Sequence, residues 1–200
     1  MAFSIARQLT AEERVQKCVV DIMNKDRYIA LAGLLVMGNR EVRDDMPTAA
    51  TNGRDEYYGR AFVEGLTDPE LRYVVIHENY HKLYRHLHTW KHLHDKDHRC
   101  ANMACDYVIN LPIQDRYHRD QFVKLPDGGC VDEKYRDMDA GEVFKLLKQD
   151  NKHNKPKGFD QHDWDGAAKL TDKEAEELSK AVDQALRQGN IVCKQGRCER

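Results

Sequence analysis

The sequence has no CxxC pair, no internal repeat, no low-complexity tract and no excess of charge of one sign. It also has no apolar run approaching the roughly 20 residues a membrane-spanning helix needs. The opening segment, MAFSIARQLTAEERVQ, lacks the apolar core of a secretory signal, so a cytoplasmic chain is expected, without membrane partners. The formal net charge of −2 supplies no global positive field for nucleic acid or anionic lipid. Six cysteines (Cys18, Cys100, Cys105, Cys130, Cys193, Cys198) are too dispersed for a secreted-type disulfide framework, and reduced thiols are expected. The alternative, a four-thiolate zinc site built from Cys100/Cys105 and Cys193/Cys198, rests only on two x4 spacings.

What is present fits one packed domain over residues 1–190 with a short tail at 191–200. The chain has 200 residues, 40% of them hydrophobic and 33% charged. Thr10-x-x-Glu13 is a capping box, followed by Val15, Cys18, Val19, Ile22 and Met23 at helical spacing. The stretch RYIALAGLLVMG reads as a second helix or as a helix running into a strand. Residues 46–63, with Thr, Tyr and Val around Asn52-Gly53, read as short strands about a turn. Thr67-x-x-Glu70, with Leu66 and Leu71 as a hydrophobic staple, starts a helix at Asp68. A stripe of Ile76, Tyr80, Leu83, Leu87 and Trp90 carries that helix to about Trp90. A partner helix over RCANMACDYVINLPI has Ala101, Ala104, Cys105 and Val108 on its apolar side, a polar opposite side, and Pro112 as its end. A short helix spans DAGEVFKLLKQ. Thr171-x-x-Glu174 opens a last helix that buries Leu178, Ala181, Val182, Ala185 and Leu186 and stops at Gly189. The fold class is α+β, mostly helical.

Within the best-marked helix lies VVIHENYHKL. Residues i and i+4 are separated by about 40° and about 6 Å on a helix, so His77 and His81 can reach one ion. Catalytic zinc takes three protein ligands and keeps one position for water, and a glutamate beside the pair can accept a proton from that water. Glu78 holds that place. Leu87 and Tyr84 exclude the extended HExxHxxGxxH pattern. His88 lies too far along a straight helix to close the site, His86 is off the face, and most of His86, His88, His92, His94 and His98 read as solvated. Asn102, Asp106 and Asn110 recur every four residues on the partner helix. If that stripe faces the histidines, Asp106 is the third ligand and Asn110 holds the outer nitrogen of one imidazole; otherwise Asp106 faces water. His162, in FDQHDWD, is the other candidate for the ion or for the substrate side.

Taken together, His77-Glu78-x-x-His81, Ala104-x-Asp106-x-x-Ile109-Asn110, TAATNG at 48–53 and FDQH at 159–162 resemble, in content and order, a family of zinc metallopeptidase domains of bacteria and their phages. In many members the domain precedes a von Willebrand factor A-like domain. The resemblance covers roughly residues 10 to 190. It implies a zincin-like fold, with a small mixed sheet packed on the HExxH helix and a second helix supplying the third ligand. Asn52 stands where that family has Asp. The chain ends at Arg200 without a von Willebrand-type segment, so no partner binding is carried over from it.

The resulting expectation is a zinc-dependent peptidase with one Zn2+, a protein or peptide substrate, and Glu78 as general base. Tyr57, Tyr107 and His162 are the candidates to stabilise the oxyanion. Two other readings stand beside it: an inactive module closed by zinc, and a nucleic-acid contact through KLYRHLHTWKHLHDKDHR. The sequence does not specify an oligomeric state.

Overall fold

The structure, a computed structural model, describes residues 7–117, 121–150 and 163–192. Ten α-helices and three strands are found among them: α1 (Ala11–Met23), α2 (Ala32–Leu35), β1 (Arg40–Arg43), β2 (Ala49–Thr51), β3 (Glu56–Gly59), α3 (Arg60–Gly65), α4 (Asp68–Tyr84), α5 (His86–Thr89), α6 (Lys91–His94), α7 (His98–Tyr117), α8 (Ala140–Gln149), α9 (Trp164–Ala168) and α10 (Asp172–Val192). Short 3-10 turns cover Asp26–Leu31 and Glu133–Tyr135. The fold is mostly helical α+β with a mixed three-stranded sheet, as the sequence led us to expect. No helix among the described residues is long and apolar enough to cross a membrane.

The sheet has the order β1-β3-β2, with β1 parallel and β2 antiparallel to β3. The hairpin between β2 and β3 turns on Asn52-Gly53. Gly53 takes φ +91°, which an L side chain rarely adopts. The Asn52 side-chain oxygen accepts from the N–H groups of Arg54 and Asp55, while its amide donates to the Tyr57 hydroxyl (3.1 Å). An aspartate would supply the first two bonds but could only accept from the Tyr57 hydroxyl, not donate to it.

Helix α4 starts where its capping box places it. The Glu70 carboxylate accepts from the Thr67 backbone N–H (2.9 Å) and hydroxyl (2.7 Å). It is not a one-sided helix, however, because every residue from Tyr73 to Lys82 is buried. Neighbours surround it: α1, β2, α2 and α7 all pack against it. Two apolar clusters flank this centre. One gathers α1, α2, the sheet, α4 and α10; the other gathers α5 to α8 with Trp164. Helix α7 contributes to both, with Ile109 and Ile113 in the first and Ala101, Ala104 and Cys105 in the second.

Several boundaries differ from expectation. Helix α4 ends at Tyr84, not near Trp90, because Arg85 adopts a left-handed conformation (φ 53°). Its guanidinium ion-pairs with Asp183 and donates to the Ser179 carbonyl, both on α10. Pro112 lies inside α7. The helix passes it because buried Leu111 and Ile113 hold the following turn by tertiary packing, which outweighs one lost backbone bond. The side of α7 read as polar is buried as well, at Met103, Tyr107 and Asn110. Gly189 does not stop α10: it is buried, and a Cβ there would meet the Ala30 carbonyl oxygen at 2.2 Å. Its role is close packing. Ala181 is exposed rather than buried. Strand β1 carried no signal we used, and residues 60–63 begin α3 rather than extending β3.

Under α4 lies an ionic cluster. The Glu56 carboxylate (0% exposed) receives Arg40 from the neighbouring strand in two bonds of 2.9 Å, the Tyr58 hydroxyl at 2.5 Å, the Asn79 amide at 3.2 Å, and the Lys82 ammonium in direct contact. Burial alone would raise the Glu56 pKa, but Lys82 and Arg40 prevail and hold it below its ordinary 4.5. Its contribution to stability is therefore complete above pH 4.5 and is lost as pH falls through the lower folded-state value. Glu56→Gln leaves a buried cation uncompensated and is expected to destabilise the fold by about 3–5 kcal/mol in urea titrations at neutral pH. The gap between variant and wild type should close as pH drops below 4.5. A gap independent of pH would show that the carboxylate charge is not what stabilises this cluster.

Candidate metal centre

Three donor groups converge between α4 and α7. The Nε2 atoms of His77 and His81 are 3.0 Å apart, and Asp106 Oδ1 lies 3.7 Å from the first and 3.5 Å from the second. Among the described residues this is the group able to hold a metal ion. Two donors bound at 2.0–2.1 Å to a tetrahedral zinc stand about 3.3 Å apart. The three observed separations bracket that value, so the donor set fits zinc in both chemistry and spacing. All three side chains are withdrawn from solvent, at 0%, 0% and 2% exposure. In such surroundings neutral imidazoles and a carboxylate bind a cation strongly, because little competing water reaches them.

The outer nitrogen of His77 reveals how the site is oriented. Asn110 Nδ2 donates to the Cys130 carbonyl (3.1 Å), which leaves its Oδ1 to accept from the Tyr73 hydroxyl (3.0 Å) and from His77 Nδ1 (2.8 Å). His77 must then carry its proton on Nδ1 and its lone pair on Nε2, the atom facing His81 and Asp106. Burial, and secondarily the Asp106 charge, push the Tyr73 pKa well above 10, so the phenol stays a neutral donor.

Glu78 is fully buried, one residue round the helix from His77. Its carboxylate adds to the negative field at buried Tyr58 and Lys82. The polar stripe on α7 is used along its whole length: Asn110 holds His77, Asp106 joins the histidines, and the Asn102 oxygen accepts from the Trp164 indole (2.5 Å).

Tyr107 packs on Tyr135 with ring centroids 4.6 Å apart, and burial raises its pKa to about 12. Tyr57 bonds Asn52 and lies under the Arg43 guanidinium at 4.0 Å. His162, Asp160, Cys193 and Cys198 fall outside the described residues. Cys100 and Cys105 are buried and take part in no disulfide among the described residues. In the basic segment Lys82 is buried against Glu56, Arg85 is paired with Asp183 and Lys91 with Asp95. His88, His92 and His98 are exposed, as expected, but His94 is half-buried and stacks on Trp164 (4.7 Å), and His86 is 1% exposed and in contact with His81. Tyr73, Cys130 and His86 were not foreseen as site residues. Tyr73 falls four residues before His77, the one spacing signal that pointed to it.

Compared with known families, residues 10–194 match the one described as "Putative metallopeptidase domain". Searches of curated proteins and of solved structures give no match.

Asn110→Ala removes the acceptor for His77 Nδ1 and is expected to weaken zinc binding about 10–100-fold, measured by competition with a chromophoric chelator. Unchanged affinity would mean that Asn110 holds the helices together without orienting the ligand.

Proposed function

Because the chain belongs to this family of metallopeptidase domains, we propose that it is a zinc-dependent peptidase in which His77, His81 and Asp106 hold one ion and Glu78 moves the proton. The observation that carries this reading is the convergence of two imidazoles and one carboxylate, with Glu78 beside them on the same helix. When bound, the ion would acidify a water molecule and polarise the scissile carbonyl.

The rest is work for the chain's own groups. Glu78 takes a proton from the attacking water onto a carboxylate oxygen as the water oxygen bonds to the carbonyl carbon. It then delivers that proton to the amide nitrogen as the C–N bond breaks, so the leaving group departs as a neutral amine. Asn110 and Tyr73 keep His77 in the tautomer that offers Nε2. The substrate is a protein or peptide chain. The cytoplasm is the compartment this reading assumes.

A second reading, a zinc-closed binding module, is favoured by the burial of the donors. Structural zinc sites, however, use four protein ligands, and three converge among the described residues. Glu78→Gln separates the two. It is expected to retain one zinc per chain by plasma mass spectrometry while hydrolysis of a fluorogenic peptide library falls about 100- to 10,000-fold. Chelation of the wild type should abolish turnover and added zinc restore it. Turnover retained by the Gln variant would reject Glu78 as the base, and a wild type that binds zinc yet cleaves nothing would favour the module.

A further inference from the structure

The second zinc histidine has an outer nitrogen too, and its partner is a residue that helical geometry alone puts out of reach. On an uninterrupted helix His86 would lie about 140° around the axis from His81. The left-handed Arg85 ends α4 at Tyr84 and swings the chain back, so that His86, the first residue of α5, packs edge-on against His81 with centroids 5.0 Å apart. The two Nδ1 atoms are 3.0 Å apart, and both rings are buried. A non-glycine residue rarely adopts this conformation. Here the Arg85 guanidinium is tied to Asp183 and to the Ser179 carbonyl on α10, which holds the turn in place.

We propose that His86 is a positioning residue of the metal centre, its Nδ1 accepting the Nδ1–H of His81 so that the His81 Nε2 lone pair is committed to the ion. The inference rests on the zinc reading above and extends it. A neutral imidazole has one N–H. If His81 Nε2 binds a cation, its proton must sit on Nδ1, and the facing Nδ1 of His86 must be the acceptor. The proton of His86 is then on its own Nε2. Each zinc histidine thus has a dedicated buried acceptor, Asn110 Oδ1 for His77 and His86 Nδ1 for His81.

The test uses the full chain and zinc alone. His86→Phe keeps an aromatic ring but offers no acceptor, and is expected to lose about 10–100-fold in zinc affinity. His86→Asn can place an amide oxygen near the Nδ1 position and should restore most of that loss. Independently of any variant, long-range 15N correlation spectra of the zinc-loaded wild type should show His81 protonated at Nδ1 and His86 protonated at Nε2 only. His86 protonated at Nδ1, or a folded Phe variant with wild-type affinity, would overturn the proposal. Should the Phe variant not fold, the wild-type spectra decide. Asp106→Ala serves as the control: if it leaves zinc affinity unchanged, the metal reading itself fails, whereas its loss together with an unaffected His86→Phe sinks only the role of His86.

Discussion

A helix buried on every side that nevertheless carries His77, Asn79, His81 and Lys82 poses a demand the remainder of the chain has to meet. Each polar group placed in such an interior without a partner would cost several kcal/mol. The neighbouring elements answer in a fixed order around the helix. The sheet sends Glu56, already bound to Arg40 and Tyr58, to receive Lys82 and Asn79. Helix α7 sends Asn110 to His77 and Asp106 to the histidine pair. The turn at Arg85 returns His86 to His81. The sheet is small, but without it Lys82 would be a charge in an apolar core.

The same demand explains why the site lies where it does. The molecule has two apolar clusters, and α7 is the element that belongs to both. The candidate metal donors sit at the seam between α4, inside the first cluster, and α7. A cation bound there would join α4 of the first cluster to α7, which belongs to both, so metal occupancy should couple to global stability. Ligand bound only by the folded state at 100 times its dissociation constant stabilises by about 2.7 kcal/mol. Metal binding and folding would therefore draw on the same three side chains.

Much of this was legible in the sequence, and what was not has identifiable causes. Capping boxes are local, so the starts of α1, α4 and α10 could be read directly from Thr10, Thr67 and Thr171. The i, i+4 spacing of His77 and His81 and the four-residue recurrence of Asn102, Asp106 and Asn110 are helical arithmetic, and each stripe does face inward. Helix ends were harder because the decisive contacts are distant. Arg85 leaves the helical conformation against Asp183, nearly a hundred residues away, and Gly189 continues α10 because Ala30 needs the space. His86 was assigned to solvent for the same reason: its position follows from the break and not from the periodicity. Lys82 and Glu56 gave no warning, since a lone lysine and a lone glutamate ordinarily mark a solvated face.

These departures bear on the chemistry as much as on the fold. A zinc histidine needs one nitrogen free of its proton and the other held, and a helix with HExxH fixes only where the rings start. The ring orientations are set by Asn110, anchored to the Cys130 carbonyl and Tyr73, and by His86, anchored through a left-handed turn. Both supports come from outside α4, so the motif by itself underdetermines the site. The two histidines are thus oriented by α7 and α5, while the ionic cluster between α4 and the sheet fixes the helix that carries them.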